Sequence, residues 1–193
     1  LKNEKINHDL IFSSGPTTTK TRYIDNKSKH YFRWDVEIIT PNSKIIETLL
    51  SQIKKNDILC LSDYNKGIID SKLIKEFNKR CYKILVDPKQ HVDLYQDVFL
   101  IKPNMKEYEI WFGNFDKEKA FINLKKFGWK WLIVTDGAKG MHVLNYKGIY
   151  KHYFEPVQKV ADVTGAGDTV MSVIANGFYK KKNIFNVCKS ACF

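Results

Sequence analysis

From residue 44 onward, amphipathic stretches alternate with short apolar runs. Ile45, Ile46, Leu49, Leu50 and Ile53 recur at helical spacing, and the run Asp57-Ile-Leu-Cys-Leu-Ser62 follows, ending in the loop Asp63-Tyr-Asn-Lys-Gly67. Leu73, Ile74 and Phe77 mark a second helix, which leads to the strand Lys83-Ile-Leu-Val86 and the loop Asp87-Pro-Lys89. Val98-Phe-Leu-Ile101 predicts a strand opening into Lys102-Pro-Asn-Met-Lys-Glu107. A helix across Phe121, Leu124, Lys125 and Phe127 precedes the strand Trp131-Leu-Ile-Val134 and the loop Thr135-Asp-Gly-Ala-Lys-Gly140. Short apolar runs between amphipathic helices are what a parallel sheet covered on both faces requires, so the pattern predicts an α/β fold of three layers with a mostly parallel central sheet. Ligands bind beyond the carboxyl ends of the strands in such sheets. Asp63, Lys66, Asp87, Lys89, Asn104, Glu107, Thr135, Gly137 and Asp168 are therefore expected to converge, although they lie far apart along the chain.

The stretch before residue 44 has a different period. Residues 17–24 and 31–38 read as two strands joined through Asp25-Asn-Lys-Ser28, and Phe32, Trp34, Val36 and Ile38 alternate with Arg33, Asp35 and Glu37. Four large apolar side chains thus share one face of a hairpin. A lone hairpin is not stable in water, so this face must lie over the rest of the domain, over a ligand, or against a second copy of the chain. Residues 17–40 are assigned to this lid-like hairpin, which is a candidate homodimer contact, and residues 44–193 to the α/β core.

At the other end, Asp162-Val-Thr-Gly-Ala-Gly-Asp168 follows an extended segment, Tyr150 to Val160, and precedes a helix marked by Val170, Val173, Ile174 and Phe178. Gly165 and Gly167 permit backbone angles closed to other residues and a close approach to a ligand. Amides in the first turn of the helix have no intrahelical partner, so with the helix dipole they form a site for an anion such as phosphate. Asp168 would repel that phosphate. Its place there is best explained by a base aimed at a hydroxyl that attacks the phosphorus.

Composition narrows the classes. The 193 residues suffice for one domain with a real core, and no apolar run approaches the length of a membrane span. Cys60, Cys81, Cys188 and Cys192 form no CxxC pair, and the five histidines form no metal-ligand cluster, which fits reduced thiols in the cytoplasm and excludes a structural zinc site. The net charge is +11, but only Arg22, Arg33 and Arg80 are arginines and the lysines are spread along the whole chain. That pattern is a solvated surface suited to anionic small molecules, and nucleic acid is not an expected partner. No GxxxxGK[ST] loop is present, and Val170 stands where a GxGxxG motif needs its third glycine, so P-loop and Rossmann chemistry are disfavoured.

Three motifs carry a family resemblance. Asp162-Val-Thr-Gly-Ala-Gly-Asp168 resembles the C-terminal signature of the ribokinase-like (PfkB) sugar kinases, Asn104-Met-Lys-Glu107 their NxxE motif, and Thr135-Asp-Gly-Ala-Lys-Gly140 their TxGxxG nucleotide loop, all in the family's order. With Thr19-Lys-Thr-Arg22, Arg33 to Glu37, Leu61 to Gly67 and Val86-Asp-Pro-Lys89, the chain is similar to the D-glycero-β-D-manno-heptose 7-phosphate kinases, the first half of the bifunctional enzymes of ADP-heptose synthesis. The resemblance implies ATP-dependent phosphorylation of the anomeric hydroxyl, a step toward the lipopolysaccharide core. Ribokinase or fructokinase specificity is the nearest alternative, followed by a nucleotide-binding fragment without turnover. It implies Asp168 as base, and Gly165, Ala166 and Gly167 as the anion hole. Asn104, Met105, Lys106, Glu107, Thr135, Gly137 and Gly140 are implied at the ATP, with Asn104 and Glu107 on Mg²⁺. Lys20, Arg22, Asp63, Lys66 and Lys89 are candidates for the sugar phosphate. Asn104 with Glu107 also fits a helix capping box, and both readings stand. The family's first strands, Gly-Gly motif and sugar-gripping acids have no counterpart before the hairpin, so the chain is expected to be a truncated kinase domain.

Overall fold

The computed structural model describes residues 16, 18–25, 30–37, 43–55, 57–81, 83–154 and 165–192. The turn at 26–29, Ile38, the segment 155–160 and the signature residues Asp162, Val163 and Thr164 lie outside the described residues. The chain divides into two units, one holding residues up to Ser51 with Lys66–Ile68, the other Gln52–Asn65 and Ile69 onward.

In the first unit β1 (Thr19–Ile24) and β2 (His30–Val36) form an antiparallel pair in which Thr19 faces Val36, Thr21 faces Trp34 and Tyr23 faces Phe32. The alternation predicted from sequence is therefore realised: Phe32, Trp34 and Val36 share a face, and Tyr23 stacks on Phe32 at 4.3 Å between ring centroids. The opposite face brings Arg22 against Arg33 and Lys20 against Asp35. Helix α1 (Ser43–Gln52) spans Ile45, Ile46, Leu49 and Leu50 of the predicted stripe and ends just before Ile53.

The second unit is built on a six-stranded sheet with its strands in chain order. β3 (Ile58–Ser62), β4 (Lys83–Asp87), β5 (Leu100–Ile101) and β6 (Trp131–Thr135) are parallel; β7 (Met141–Asn145) and β8 (Tyr150–Tyr153) add antiparallel strands at one edge. Alternate residues of each strand serve the two faces. Leu85, Leu100, Ile133, Met141 and Val143 pack with Met171, Ile174, Ile184, Val187 and Cys188 of α5 (Ala166–Tyr179) and α6 (Ile184–Ser190). Against the sheet also lie α2 (Ser71–Arg80), which meets β4, α3 (Met105–Phe112), which meets β6, and α4 (Lys117–Lys126), which meets β7. Each of these helices begins at a polar cap: Asp70 accepts from Leu73 N–H, Asn104 from Glu107 N–H and Asp116 from Lys119 N–H. Because β3 to β6 run the same way, the loops after them leave at a single edge, as the apolar pattern required.

Helices α5 and α6 approach closely at Gly177. A Cβ there would stand 2.7 Å from Val187 Cγ2 and 2.9 Å from its Cγ1. Gly177→Ala gains up to about 1 kcal/mol of helix propensity but overpacks a buried contact at a cost of about 1–3 kcal/mol. A net loss of about 1 kcal/mol is expected, seen as a Tm lowered by roughly 2–4 °C. In a Val187→Ala background the same substitution should be neutral or stabilising, a reversal that thermal unfolding of the four proteins would read directly.

Candidate functional site

The carboxyl edge of the parallel strands collects the polar groups of the second unit. Asp87 ends β4 and Lys102 follows β5, and because these neighbours are parallel both side chains leave on the same side. Lys102 is only 2% exposed, and its Nζ lies 2.9 Å from Asp87 Oδ2. A buried ammonium without a counter-charge would cost several kcal/mol, so this pair is a fixed part of the edge. Burial pushes the Asp87 carboxyl above the ordinary carboxylate range; Lys102 pulls it down, and the charges of Glu107 and Asp168 push it up again. Asp87, Glu107 and Asp168, which come from three separate loops, thus share one electrostatic neighbourhood.

The first turn of α5 closes over this pair. Gly165 is its cap, at φ +79°, with no side chain to satisfy the turn's amides. Left-handed backbone is the reason for glycine there. Gly167 differs from the sequence-based reading: it sits inside the helix, against Lys102. A Cβ at 167 would stand 3.5 Å from Lys102 Nζ and 3.7 Å from Asp87 Oδ2, at ordinary van der Waals contact. Asp168 is exposed in this same turn and is not the helix cap, since Gly165 holds that position.

Asn104 and Glu107 form the complete capping box: Glu107 N–H donates to Asn104 Oδ1 at 2.9 Å and Asn104 N–H donates to Glu107 Oε2 at 3.0 Å. Lys89 Nζ donates to the other oxygen, Oε1, at 2.9 Å. Asn104 also bridges to Thr135, and Thr135 N–H donates to Pro103 carbonyl at 3.1 Å, so the loops after β5 and β6 run side by side. Met105 and Lys106 begin α3, within the same turn. Beyond Thr135, Gly137 to Lys139 make a single 3-10 turn closed by Gly140 at φ +89°. A side chain at 140 would overlap the Tyr153 carbonyl, so this glycine is demanded by packing as well as by angle.

A family model described as pfkB family carbohydrate kinase matches residues 1–192. The chain belongs to this family. Proteins named Bifunctional protein HldE are similar to it: that of Rhodopseudomonas palustris (strain BisA53) is 34% identical over 84% of this chain and 36% of the relative. That of Pasteurella multocida (strain Pm70) is 30% identical over 97% and 42%. The pfkB chain therefore spans well under half the length of these relatives. Among solved structures, Thermotoga maritima ribokinase matches with a TM-score of 0.68 at 24% identity, covering 92% of this chain and 61% of that one. Escherichia coli phosphofructokinase-2 in complex with fructose-6-phosphate matches with 0.72 at 18%, covering 90% and 62%. The fold of the pfkB chain is ribokinase-like.

The candidate sugar contacts are dispersed. Lys20 and Lys66 both pair with Glu37 in the first unit, Lys20 at 3.8 Å. Arg22 lies on the hairpin opposite Arg33. Lys89 is at Glu107, and Asp63 is buried, with Oδ1 accepting from Asn65 N–H at 2.7 Å and Oδ2 from Tyr95 O–H and Gln90 Nε2. Lys102 has no place among the sequence candidates, being one lysine in a lysine-rich chain, and Asp87 is expected at this edge without a role; the signal available for Lys102 is its position directly after an apolar run.

For Mg²⁺ the donor chemistry fits a cation that keeps most of its water. Among the described residues no three His, Cys, Asp or Glu side chains are grouped to hold a metal by themselves, yet the negative charges of Glu107 and Asp168 act on Asp87, with Lys89 and Lys102 as partial counter-charges. Mg²⁺ is characteristically bound by one or two carboxylates, water and substrate phosphates.

Breaking the ion pair from either side should be costly. Asp87→Asn and Lys102→Met are each expected to lose about 3 kcal/mol, while the double variant loses much less than their sum in a denaturant double-mutant cycle. Lys102→Met also leaves Asp87 without its lowering influence. Folded Asp87 then holds its proton more tightly than unfolded Asp87, so its contribution is retained below about pH 3.9 and lost as pH rises through the folded value. Stability of Lys102→Met should fall with rising pH relative to the double variant, whose carboxyl is gone.

Proposed function

We propose that the complete protein transfers the γ-phosphoryl group of ATP to the anomeric hydroxyl of D-glycero-β-D-manno-heptose 7-phosphate, giving the 1,7-bisphosphate, and that it does so in the cytoplasm. The observation that carries the kinase chemistry is the uncapped first turn of α5 set against the Lys102–Asp87 pair, with Gly167 placing no side chain between them. The heptose is supported by the name HldE on the curated relatives and by the subfamily stretches on the hairpin and after β3 and β4.

In this mechanism Asp168 accepts the proton of the attacking hydroxyl. The amides of Ala166, Gly167 and Asp168, backed by the helix dipole, stabilise the charge that spreads over the transferred group's oxygens. Lys102 adds a fixed positive charge on the same side, its geometry held by Asp87. Positioning and charge stabilisation are most of what phosphoryl transfer needs. Glu107 and Asn104 would hold Mg²⁺ through water, because their direct hydrogen-bonding capacity is partly spent on the capping box. A Mg²⁺ ion held there would supply positive charge against the phosphate groups of ATP. Thr135, Gly137 and Gly140, beside Met105 and Lys106, provide the nucleotide side.

The sugar's 7-phosphate falls to cationic groups, with Arg22 the strongest candidate on the hairpin. Arg22 stands directly opposite Arg33, whose charge is already met by Asp35 at 2.8 Å, which leaves Arg22 the hairpin arginine better placed to take an external anion. Lys20 and Lys66 already share Glu37, Lys89 holds Glu107, and Asp63 is enclosed, which makes them weaker direct contacts. The hairpin's other face fits a clasp between two copies. Phe32, Trp34 and Val36 are each more than half exposed, on a strand pair with Tyr23 stacked on Phe32.

An ADP-release assay on the complete protein tests the reaction. Heptose 7-phosphate should be used at least tenfold more efficiently than ribose, fructose or fructose 6-phosphate. Asp168→Asn should lower kcat by at least ~10²-fold with an unchanged unfolding curve. A non-phosphorylated sugar as best substrate would refute the heptose assignment, and near-normal turnover of Asp168→Asn would remove its role as base. For the clasp, sedimentation should show a dimer in the parent protein and monomer in Trp34→Glu; a dimer in both would place the interface elsewhere.

A further inference from the structure

Behind the carboxyl edge lies a polar cluster that the phosphoryl-transfer scheme does not use. Tyr95 ends the 3-10 turn Val92–Tyr95 and is fully buried. Its hydroxyl donates to Asp63 Oδ2 at 2.5 Å and accepts from the N–H groups of Lys89, at 3.0 Å, and Gln90, at 2.9 Å. One oxygen thereby joins three segments: the loop after β3, the loop after β4 and the turn before β5. Gln90 completes the clamp, its side-chain amide donating to Asp63 Oδ2 at 2.8 Å and to Ile69 carbonyl at 3.1 Å. The position of Tyr95 is fixed in turn, since Trp129 Nε1 donates to its carbonyl at 2.7 Å. Burial and the adjoining Asp63 carboxylate both push the phenol far above its ordinary range, so it stays a hydroxyl and keeps donating.

The clamp ends on Lys89, the residue whose ammonium holds Glu107 Oε1. That ammonium is more than half exposed, and an exposed lysine gains little from one ion pair against the entropy of holding a long side chain. Its geometry therefore depends on the backbone from which it projects. A loop after a strand is ordinarily mobile; here two consecutive amides are tied to a buried hydroxyl, which is itself tied to a buried carboxylate.

We propose that Tyr95 is a positioning residue for the nucleotide end of the site: its hydroxyl, braced by Asp63 and Gln90, fixes the 89–90 backbone so that Lys89 sets the carboxylate of Glu107. Asp63 then serves as the acceptor at the centre of the clamp. The proposal rests on the kinase reading, in that it assigns the Glu107 region to Mg·ATP.

The test is calorimetric binding of Mg·ATP to the complete protein at a temperature well below each variant's unfolding, with kinetics alongside. Tyr95→Phe keeps the ring and removes the clamp; Val143→Ala, in the core cluster of β7, serves as a control that is destabilised without touching it. Tyr95→Phe is expected to weaken Mg·ATP binding and raise KM for ATP at least tenfold with kcat within about threefold. Val143→Ala should stay within about twofold of the parent in both. If Tyr95→Phe does not accumulate as folded protein, Gln90→Met removes one arm of the clamp from a half-buried position and should weaken binding at least threefold. Binding by Tyr95→Phe, or by Gln90→Met in its place, equal to the parent's overturns the positioning role and leaves the kinase reading standing. Failure of the parent itself to bind Mg·ATP overturns both.

Discussion

The ion pair of buried Lys102 with partly exposed Asp87 is the constraint on which the geometry of the carboxyl edge depends. An ammonium that is 2% exposed is tolerated only with a counter-charge at hydrogen-bond distance, and at 2.9 Å Asp87 provides it. The pair ties the ends of β4 and β5 together and presents a fixed positive charge under the first turn of α5. With glycine at 167 no side chain stands between the helix turn and the ammonium, so two sources of positive potential lie close together there.

Charge balance then governs the surroundings. Glu107 and Asp168 raise the cost of ionising Asp87, and the edge offsets this with one buried lysine and one exposed lysine. Glu107 shows how tightly the roles are shared: it closes the capping box of α3, receives Lys89, and still faces the same neighbourhood as Asp87. A capping role and a metal-facing role are compatible because the box uses one carboxylate oxygen and Lys89 the other, each oxygen keeping a further lone pair. The Tyr95 hydroxyl is a second fixed point, and unlike the ion pair it acts on backbone. Together they explain how loops of irregular structure hold a site: each is anchored to a buried polar group at the end of a strand.

The apolar pattern of the chain determined the layered α/β architecture, because runs buried on both faces of a parallel sheet must be continuous and the helices covering them amphipathic. It also placed the glycine-rich turn at a helix start and the paired loops at one edge, since parallel strands leave no other arrangement. It did not reveal α3, whose eight residues are too few for a clear period, nor β7, a short strand joined to β8 by the tight turn at Gly148. Tertiary structure alone decided that Lys102 is buried, that Asp87 is its partner, that Asp63 faces inward to Tyr95, and that Gly167 lies inside the helix against Lys102 while Gly165 is needed for its backbone angle. Burial and pairing arise from contacts between segments far apart in the chain, and no local pattern of residue types distinguishes a lysine under a helix from one in water.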